Sequence, residues 1–203
     1  MIKSEYTSFP GKQAIVGIDE AGRGPIAGPV VASAVILPKS FKFTNINDSK
    51  QVSPKQRILL FRKIKKTAVD YAITLVTPKK IDDINILEAT FLAMHKSWKK
   101  LNTQGDFLIV DGPFLPSKSP NIDVDVPAKA IIKGDEKYFC IAAASILAKV
   151  YRDNLMINYS KKYPGYGFKS NKGYPTTQHK EAVKKLGPCP IHRKSFKPIK
   201  NLE

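Results

Sequence analysis

The feature that most constrains this chain is a short apolar segment that ends in two adjacent acids. Residues 14–19 read Ala-Ile-Val-Gly-Ile-Asp, and Glu20 follows directly. The apolar part predicts a buried strand. Two carboxylates this close repel each other, and burial adds to the cost unless a cation pairs with them. Hard divalent ions such as Mg²⁺ and Mn²⁺ prefer oxygen ligands, so Asp19 and Glu20 predict a metal site at the end of the strand.

Two further acids follow apolar segments in the same way. Asp111 comes directly after the strand-like run 107–110, and Asp135 follows the sequence Ile-Ile-Lys-Gly. In an open α/β sheet, ligands gather beyond the carboxyl ends of the strands, so we expect these acids to join the first pair. Each acid also has a simpler interpretation. An Asp before a glycine is often only a turn former, and Asp135 could instead face the dipole of a helix N-terminus.

The rest of the pattern predicts strands that alternate with helices. Further strands are predicted at 28–37, 69–76 and 129–132, helices at 53–67, 87–101, about 136–160 and 176–187, and a loop at 163–175. This order is typical of an α/β fold with a mixed sheet. A chain of 203 residues without a low-complexity linker predicts one domain over 1–203, with a helical, basic C-terminal part at about 160–203.

The charge of the chain predicts a polyanionic partner. Lys and Arg number 34 against 17 acids, which gives a formal net charge of +17. From Lys149 onward there are 13 Lys and Arg residues and only 3 acids. Such an excess favours nucleic acid, because each phosphate contact releases condensed counterions. The plain alternative is a solvated basic surface that keeps the protein in solution.

The sequence also disfavours several classes of protein. No apolar run reaches the roughly 18–20 residues of a membrane span. The first residues lack the apolar stretch of a secretory signal, so we expect a cytoplasmic protein without a membrane partner. Cys140 and Cys189 have neither the number nor the spacing of a disulfide framework or a zinc site.

The glycines around Arg23 allow two interpretations. Gly22, Gly24 and Gly28 loosely match a dinucleotide-binding loop, but the full Gly-x-Gly-x-x-Gly pattern is absent and prolines interrupt the helix that should follow. A Gly-Arg-Gly turn instead allows the backbone to approach a ligand closely, while the Arg guanidinium offers a fork for phosphate. A nucleotide-dependent oxidoreductase is therefore the weaker hypothesis, and failure to bind NAD or FAD would remove it.

Several ordered blocks together resemble the ribonuclease HII family. The blocks are Gly-Ile-Asp-Glu-Ala-Gly-Arg-Gly-Pro at 17–25, Ala-Gly-Pro-Val at 27–30, Asp-Ser-Lys at 48–50, Val-Asp-Gly at 110–112, Lys-Gly-Asp at 133–135, Ala-Ala-Ala-Ser-Ile-Leu-Ala-Lys at 142–149, Arg-Asp at 152–153, Tyr-Pro-Gly-Tyr at 163–166, Asn-Lys-Gly-Tyr at 171–174, and His179. The resemblance covers roughly residues 14–187. It disfavours the related ribonuclease HIII group, which has a longer chain with an N-terminal extension and lacks the Gly-Arg-Gly triplet.

The resemblance implies a ribonuclease H-like fold, with a five-stranded mixed sheet flanked by helices. It implies that two Mn²⁺ or Mg²⁺ ions are held by four carboxylates, and that other residues contact the substrate. The implied metal ligands and catalytic residues are Asp19, Glu20, Asp111 and Asp135. The implied substrate contacts are Gly22, Arg23 and Gly24 at the ribose 2′-OH, Tyr174 on the deoxyribose, and Lys50 and Ser145 at phosphates.

The activity implied by the resemblance is that of an endonuclease. It would hydrolyse the RNA strand of RNA–DNA hybrids and cut 5′ to ribonucleotides embedded in duplex DNA, leaving 3′-hydroxyl and 5′-phosphate ends. The expected role is removal of misincorporated ribonucleotides by a monomer, with the basic C-terminal residues holding the duplex. A nucleic-acid-binding protein without activity stays an alternative, and dependence on Mg²⁺ discriminates the two.

Two positions leave alternatives open. Asp153 competes with Asp135 for the fourth carboxylate position. Asp135 is preferred because it lies at a predicted strand–helix junction, whereas Asp153 lies more than four turns into a predicted helix beside Arg152. Pro175 follows Tyr174 where many relatives of such a chain have glycine, which can shift the tyrosine loop.

Overall fold

Five strands form one mixed sheet in the computed structural model, which describes residues 2–41 and 53–201. The strands are β1 (Ile15–Ala21), β2 (Val30–Ile36), β3 (Asp70–Val76), β4 (Phe107–Asp111) and β5 (Ala128–Ile131). Their order across the sheet is β3-β2-β1-β4-β5. β2 is antiparallel to β1 and β3, whereas β4 is parallel to β1 and β5. The predicted α/β class and mixed sheet are therefore confirmed.

Helices cover both faces of this sheet. They are α1 (Glu5–Ser8), α2 (Pro54–Thr67), α3 (Pro78–Lys99), α4 (Phe139–Lys162), α5 (Phe168–Asn171) and α6 (Thr177–Leu186), with short 3₁₀ turns at Pro116–Lys118, Gly134–Glu136 and Ile199–Asn201. α4 packs with α2 on one face, through a core that includes Ile15, Ile109 and Leu147. α3 packs on the other face, where Val16, Leu108 and Trp98 belong to a second core.

The centre of the sheet approaches α4 closely at Gly17. A Cβ atom added to Gly17 would lie 2.3 Å from the backbone carbon of Cys140, so only glycine permits this contact. The alanines of α4 at 142–144 and 148 are buried against the sheet. This close packing fixes α4 beside the end of β1, where Asp19 and Glu20 lie.

A third layer is built by the C-terminal residues. α5, α6 and the segment 188–199 pack over the loop between β1 and β2, in a cluster with Ile26, Phe168 and Val183 at its centre. The backbone N–H of Gly28 donates to Ile191 O at 2.8 Å, and that of Arg193 donates to Ile26 O at 2.9 Å. The C-terminal part therefore lies directly on the segment that contains the Gly-Arg-Gly turn.

Three predicted boundaries were wrong. α4 begins at Phe139 and not at about 136, because Gly134–Glu136 forms a 3₁₀ turn after Lys133, whose φ is 55°. The predicted loop 163–175 contains α5, a single turn that lies between positive-φ residues Gly167 and Lys172. α3 begins at Pro78 and not near 87, and it is interrupted at Asn85, which has φ 67° and ψ 167°.

No helix in the described ranges, 2–41 and 53–201, is long and apolar enough to cross a membrane. The sequence block Asp48-Ser49-Lys50 lies outside the described residues, so the prediction for Lys50 has no structural counterpart here.

Candidate active site

The parallel pairing of β1 and β4 places two of the predicted carboxylates at one edge of the sheet. Ile18 lies opposite Val110 in the register, so Asp19, near the end of β1, and Asp111, at the end of β4, follow paired residues on neighbouring strands. Asp19 is 5% exposed, and its side chain accepts a hydrogen bond from the Glu20 N–H at 2.6 Å. Because β1 and β4 are neighbours, the carboxylates of Asp19, Glu20 and Asp111 lie at the same edge of the sheet, which we call the acidic edge.

Asp135 reaches this edge through the 3₁₀ turn after β5. The Gly134 N–H donates to Asp111 Oδ1 at 2.6 Å, which ties the turn to the end of β4. Asp135 itself is 5% exposed. Asp153 takes another role, because its Oδ1 lies 2.9 Å from Lys149 Nζ one turn away on α4. Asp153 is therefore a salt-bridging helix residue with Lys149 as its partner.

The carboxylates destabilise one another's charged forms. Burial raises the pKa of Asp19 well above its usual range, and the charges of Glu20 and Asp111 raise it further. Burial also raises the pKa of Glu20, although the nearby Arg23 guanidinium opposes that shift. Arg23 Nη1 lies 3.5 Å from Glu20 Oε1. The site therefore stores unfavourable negative charge that a bound cation would relieve.

The donor atoms fit a hard divalent cation. Carboxylate oxygens are the ligands that Mg²⁺ and Mn²⁺ prefer, and a cation removes the repulsion between Asp19 and its neighbours. Among the described residues, no three His, Cys, Asp or Glu side chains already form a closed ligand set. Glu20 and Asp111 contact Arg23 and the Gly134 N–H through one oxygen each, Oε1 and Oδ1, and a carboxylate can keep such a partner while its other lone pairs ligate a cation.

A cleft of about 400 Å³ opens beside the acidic edge. Its lining includes Glu20, Gly22, Asp135, Ser145, Lys149 and Tyr174. The Ser145 side chain hydrogen-bonds Asp19, which lowers the pKa of that carboxyl and partly offsets its burial. The cleft therefore brings carboxylates, a hydroxyl, a basic side chain and an aromatic ring to one surface.

The Gly-Arg-Gly turn borders the same cleft and is held from behind by two buried arginines. Arg193 is 0% exposed, and its guanidinium donates to the carbonyls of Gly22, Arg23 and Gly28. Arg152 is 1% exposed and donates to the carbonyls of Ala27, Pro29 and Lys172. Burial, together with the nearby Arg152 cation, lowers the pKa of Arg193 to about 9.

This support requires glycine at position 22. Gly22 has φ 98°, and a Cβ atom there would lie 2.1 Å from Arg152 Nε. The segment that contains Arg193 is tethered in turn to α3. Asp82 accepts from the backbone N–H groups of Lys194 and Ser195, each at 2.9 Å. The conformation of the turn thus depends on residues from three separate parts of the chain.

Tyr174 faces the turn across the cleft. Its side chain is 43% exposed, and a Cβ atom added to Gly24 would lie 3.7 Å from Tyr174 Cε1. Pro175 does not remove the ring from the cleft, since Tyr174 lines it together with Gly22 and Glu20. Residues separated by about 150 positions in the sequence therefore form one continuous surface.

Comparison with known proteins identifies the family of this chain. The sequence profile of the family described as Ribonuclease HII matches residues 16–199. The chain is 53% identical to the Ribonuclease HII of Endomicrobium trichonymphae, over 93% of this chain and 87% of that protein. It is 51% identical to the Ribonuclease HII of Clostridioides difficile strain 630, over 93% of this chain and 71% of that protein.

The chain belongs to the ribonuclease HII family. Its structure agrees with this membership, since it superimposes on the crystal structure of ribonuclease H2 from Pyrococcus horikoshii with a TM-score of 0.76 and 31% identity. That match covers 94% of this chain and 97% of the archaeal one. The protein is accordingly a ribonuclease H-type endonuclease, and ribonuclease H enzymes depend on divalent metal ions and act on RNA–DNA hybrids.

Sequence reasoning alone missed the residues that support the ribonuclease HII site from behind. Arg193 carried no local signal, because it is one of many basic residues near the C-terminus. Arg152 did carry one, since it falls between Ala148 and Met156 on the buried face of α4, where an unpartnered charge is costly. A charged residue on an apolar stripe predicts specific hydrogen-bond partners, which here are backbone carbonyls.

Proposed function

We propose that this enzyme cuts duplex DNA 5′ to an embedded ribonucleotide and hydrolyses the RNA strand of hybrids, leaving 3′-hydroxyl and 5′-phosphate ends. The observation that carries the proposal is the shared cleft. Glu20 and Asp135 line it together with Gly22 of the Gly-Arg-Gly turn and with Tyr174. Groups suited to phosphodiester hydrolysis and groups suited to sugar recognition therefore face the same bound strand.

The proposed metal ligands are Asp19, Glu20, Asp111 and Asp135. The raised pKa values of Asp19 and Glu20 support this assignment, because burial and repulsion leave both carboxylates in need of positive charge. When bound, two divalent ions supply an activated water and stabilise charge on the attacking and leaving oxygens of an in-line displacement. The protein contributes the carboxylates and the rigid strand ends that hold them.

The proposed sugar-recognition element is the turn Gly22-Arg23-Gly24. A ribose 2′-OH can both donate and accept a hydrogen bond, and it is the group by which a protein distinguishes RNA from DNA. A glycine turn allows peptide groups to approach that hydroxyl without side-chain obstruction. The Arg23 side chain is half exposed beside Glu20, and its guanidinium fork suits a phosphate oxygen of the same strand.

The remaining contacts would hold the duplex without reading its bases. Tyr174 presents an exposed ring beside Gly24, which suits packing on the deoxyribose that follows the ribonucleotide. Beyond Pro175, a groove of about 430 Å³ is bordered by Lys180, Lys184 and Lys197, whose charges suit backbone phosphates. We also propose Ser145 and Lys50 as phosphate contacts.

The test is cleavage of an end-labelled duplex that contains one ribonucleotide, with Mg²⁺ or Mn²⁺, beside an all-DNA duplex and the Asp19→Asn variant. We expect a single cut 5′ to the ribonucleotide, with a 3′-hydroxyl on one product and a 5′-phosphate on the other. The all-DNA duplex and the variant should give no cut. If folded wild-type protein cleaves only continuous hybrids with either metal, recognition of single ribonucleotides is wrong.

A further inference from the structure

Two buried histidines lie behind Tyr174 and are not explained by the proposed chemistry. His179, on α6, is 0% exposed, and His192, in the C-terminal segment, is 4% exposed. Their Nε2 atoms lie 3.1 Å apart. His179 Nδ1 lies 2.8 Å from the backbone oxygen of Tyr174, and the Cys189 N–H donates to His192 Nδ1 at 2.9 Å. The four groups form one continuous chain of hydrogen bonds.

The chemistry of the two ends assigns the protons within this chain. The Tyr174 carbonyl can only accept, so His179 Nδ1 carries a proton and the Nε2 atom of a neutral His179 is bare. His192 Nε2 must then donate to it, which leaves His192 Nδ1 bare. That bare nitrogen accepts from the Cys189 N–H, although the Cys189 carbonyl oxygen also lies 3.3 Å from it. Each of the three hydrogen bonds then has one donor and one acceptor when both rings are neutral.

One additional proton would disturb the chain. A second proton on His179 would face the Nε2–H of His192 across 3.1 Å. A second proton on His192 would remove the acceptor of the Cys189 N–H and leave only the longer contact to the Cys189 carbonyl oxygen at 3.3 Å. The surroundings keep both rings neutral. Burial lowers the pKa of His179, and burial together with the neighbouring His179 lowers the pKa of His192 to about 4.

No carboxylate in the described residues shifts the pKa of either imidazole. The rings pack against Tyr166 and Phe168, and the titratable neighbours Tyr166 and Cys189 have pKa values raised by burial, so both are uncharged. Arg193 follows His192, but its guanidinium is directed at the carbonyls of the Gly-Arg-Gly turn. The pair therefore has no ion-pair role among these groups.

The hydrogen-bond chain ends on the backbone of the residue that faces the cleft. The Tyr174 carbonyl accepts from both the His179 ring and the Thr176 N–H, and the Tyr174 N–H donates to Asn171 O at 2.9 Å. Both peptide groups of Tyr174 are thus fixed, while its ring remains 43% exposed beside Gly24. Fixing the backbone in this way limits the positions that the ring can take.

We propose that His179 and His192 are positioning residues: as a neutral pair with fixed tautomers, they hold the Tyr174 backbone so that its ring meets the sugar on the DNA side of the cut. The inference rests on the substrate contact of Tyr174 in the proposed function. Neither histidine touches the substrate. Their loss should therefore weaken substrate binding and leave the chemical step at the acidic edge nearly unchanged.

The kinetic test compares His179→Leu, which removes the donor to Tyr174, with His179→Asn, whose side-chain N–H can replace that of Nδ1. For the single-ribonucleotide duplex we expect His179→Leu to raise KM about fivefold, with kcat within about twofold of wild type. His179→Asn should restore most of the affinity. His95→Leu, which changes the same residue type on α3, is the matched control and should leave KM unchanged.

A double-mutant cycle decides whether the histidines act through the tyrosine. In a Tyr174→Ala background, His179→Leu should have no further effect on KM, because the contact it positions is already gone. An unchanged fivefold effect in that background would overturn the proposal, as would an equal loss of kcat in the single variant. Far-UV circular dichroism and thermal unfolding establish that each variant is folded.

The tautomers can be measured without any substrate. In ¹⁵N-histidine-labelled wild-type protein at pH 7, long-range ¹H–¹⁵N spectra should show the His179 proton on Nδ1 and the His192 proton on Nε2. The opposite tautomers, or a charged ring, would overturn the proposal even if the enzyme is active. If the tautomers are as expected but the wild type does not cut at ribonucleotides, the failure lies in the proposed function and not in the pair.

Discussion

The acidic edge and the Gly-Arg-Gly turn are neighbours in space, yet they are held in opposite ways. The edge is negative, and its side chains come directly from the ends of β1 and β4 and the turn after β5. The turn is held by positive charge, because Arg193 donates to the carbonyls of Arg23 and Gly22, which lie 170 and 171 residues away in the sequence. Strand ends position the proposed metal ligands, whereas distant buried cations position the turn that we propose for recognition.

This difference predicts that chemistry and recognition can be damaged separately. Changes at the edge should abolish turnover while sparing the fold, since the buried carboxylates repel one another. Changes behind the turn should reduce both recognition and stability, since they remove hydrogen bonds from buried carbonyls. The predictions below test that separation from the largest expected effect to the smallest.

Asp19→Asn should have the largest effect on activity. Loss of a proposed metal ligand should lower kcat by roughly a thousandfold or more, because metal ions supply several kcal/mol of charge stabilisation to the transition state. The same change should stabilise metal-free protein at pH 8, since the raised pKa of Asp19 shows that its charged form is unfavourable there. Steady-state cleavage and thermal unfolding in EDTA measure the two effects. A lower melting temperature would contradict the description of the edge.

Arg193→Met should damage recognition and stability together. It removes the donors to three carbonyls of the segment that contains the turn, so we expect about 2–4 kcal/mol less stability in urea unfolding. Misplacement of the turn should lower kcat/KM for the single-ribonucleotide duplex by about a hundredfold. Lys200→Met also replaces a cation by methionine, at an exposed position, and is the control for loss of charge. Equal behaviour of the two variants would exclude a special role for Arg193.

Glu5→Gln tests a buried carboxyl group that contacts the start of α4, the helix that packs beside the acidic edge. Glu5 is 1% exposed, its carboxylate accepts from the Cys140 N–H near the start of α4, and burial raises its pKa to about 7. Because the folded pKa lies above the ordinary 4.5, its contribution to stability is fully present below pH 4.5 and is lost as the pH rises through 7. Glutamine mimics the protonated form at every pH.

We therefore expect Glu5→Gln to equal wild type near pH 4.5 and to be more stable by about 3 kcal/mol at pH 8. Urea unfolding at both pH values measures the difference, and cleavage activity should be unaffected. A variant that is less stable than wild type at pH 8 would show that the charged form of Glu5 is the stabilising one.

Lys180→Gln combined with Lys184→Gln should have the smallest effect. If these lysines contact phosphates, the slope of log affinity against log salt should fall by about 2, with similar weakening for all-DNA and ribonucleotide-containing duplexes. Lys12→Gln with Lys39→Gln removes the same charge at the opposite edge of the sheet, where Lys39 contacts Gln13 before β1. If both double variants gave the same slope of log affinity against log salt, the groove would not be part of the DNA-binding surface.

The difference between the acidic edge and the Gly-Arg-Gly turn also explains which parts of the site could be predicted from the sequence. Asp19, Glu20 and Asp111 follow apolar runs, and a strand end needs only local information to be located. Asp135 was placed correctly near the sheet edge, but the helix start at 136 was wrong because the 3₁₀ turn is fixed by a long-range hydrogen bond to Asp111. The short helix α5 was missed because positive-φ residues bound it within a Gly- and Tyr-rich segment.

The support of the turn could not be predicted in the same way. Arg193 contacts residues far away in the sequence, and nothing in its local sequence distinguishes it from other basic C-terminal residues. Its contacts depend on burial, which only the fold determines. Recognition loops held by distant side chains are therefore the part of such a site that a single sequence reveals least.

The most direct test of the separation is equilibrium binding of metal-free Asp19→Asn and Arg193→Met to two fluorescent duplexes, one with a single ribonucleotide and one all-DNA. We predict that Asp19→Asn prefers the ribonucleotide duplex although it cannot cut it, because its turn is intact. Arg193→Met should bind both duplexes with similar affinity, because its turn is displaced. If Asp19→Asn shows no preference, or if Arg193→Met retains the wild-type preference, recognition does not reside in the turn that the buried arginines hold.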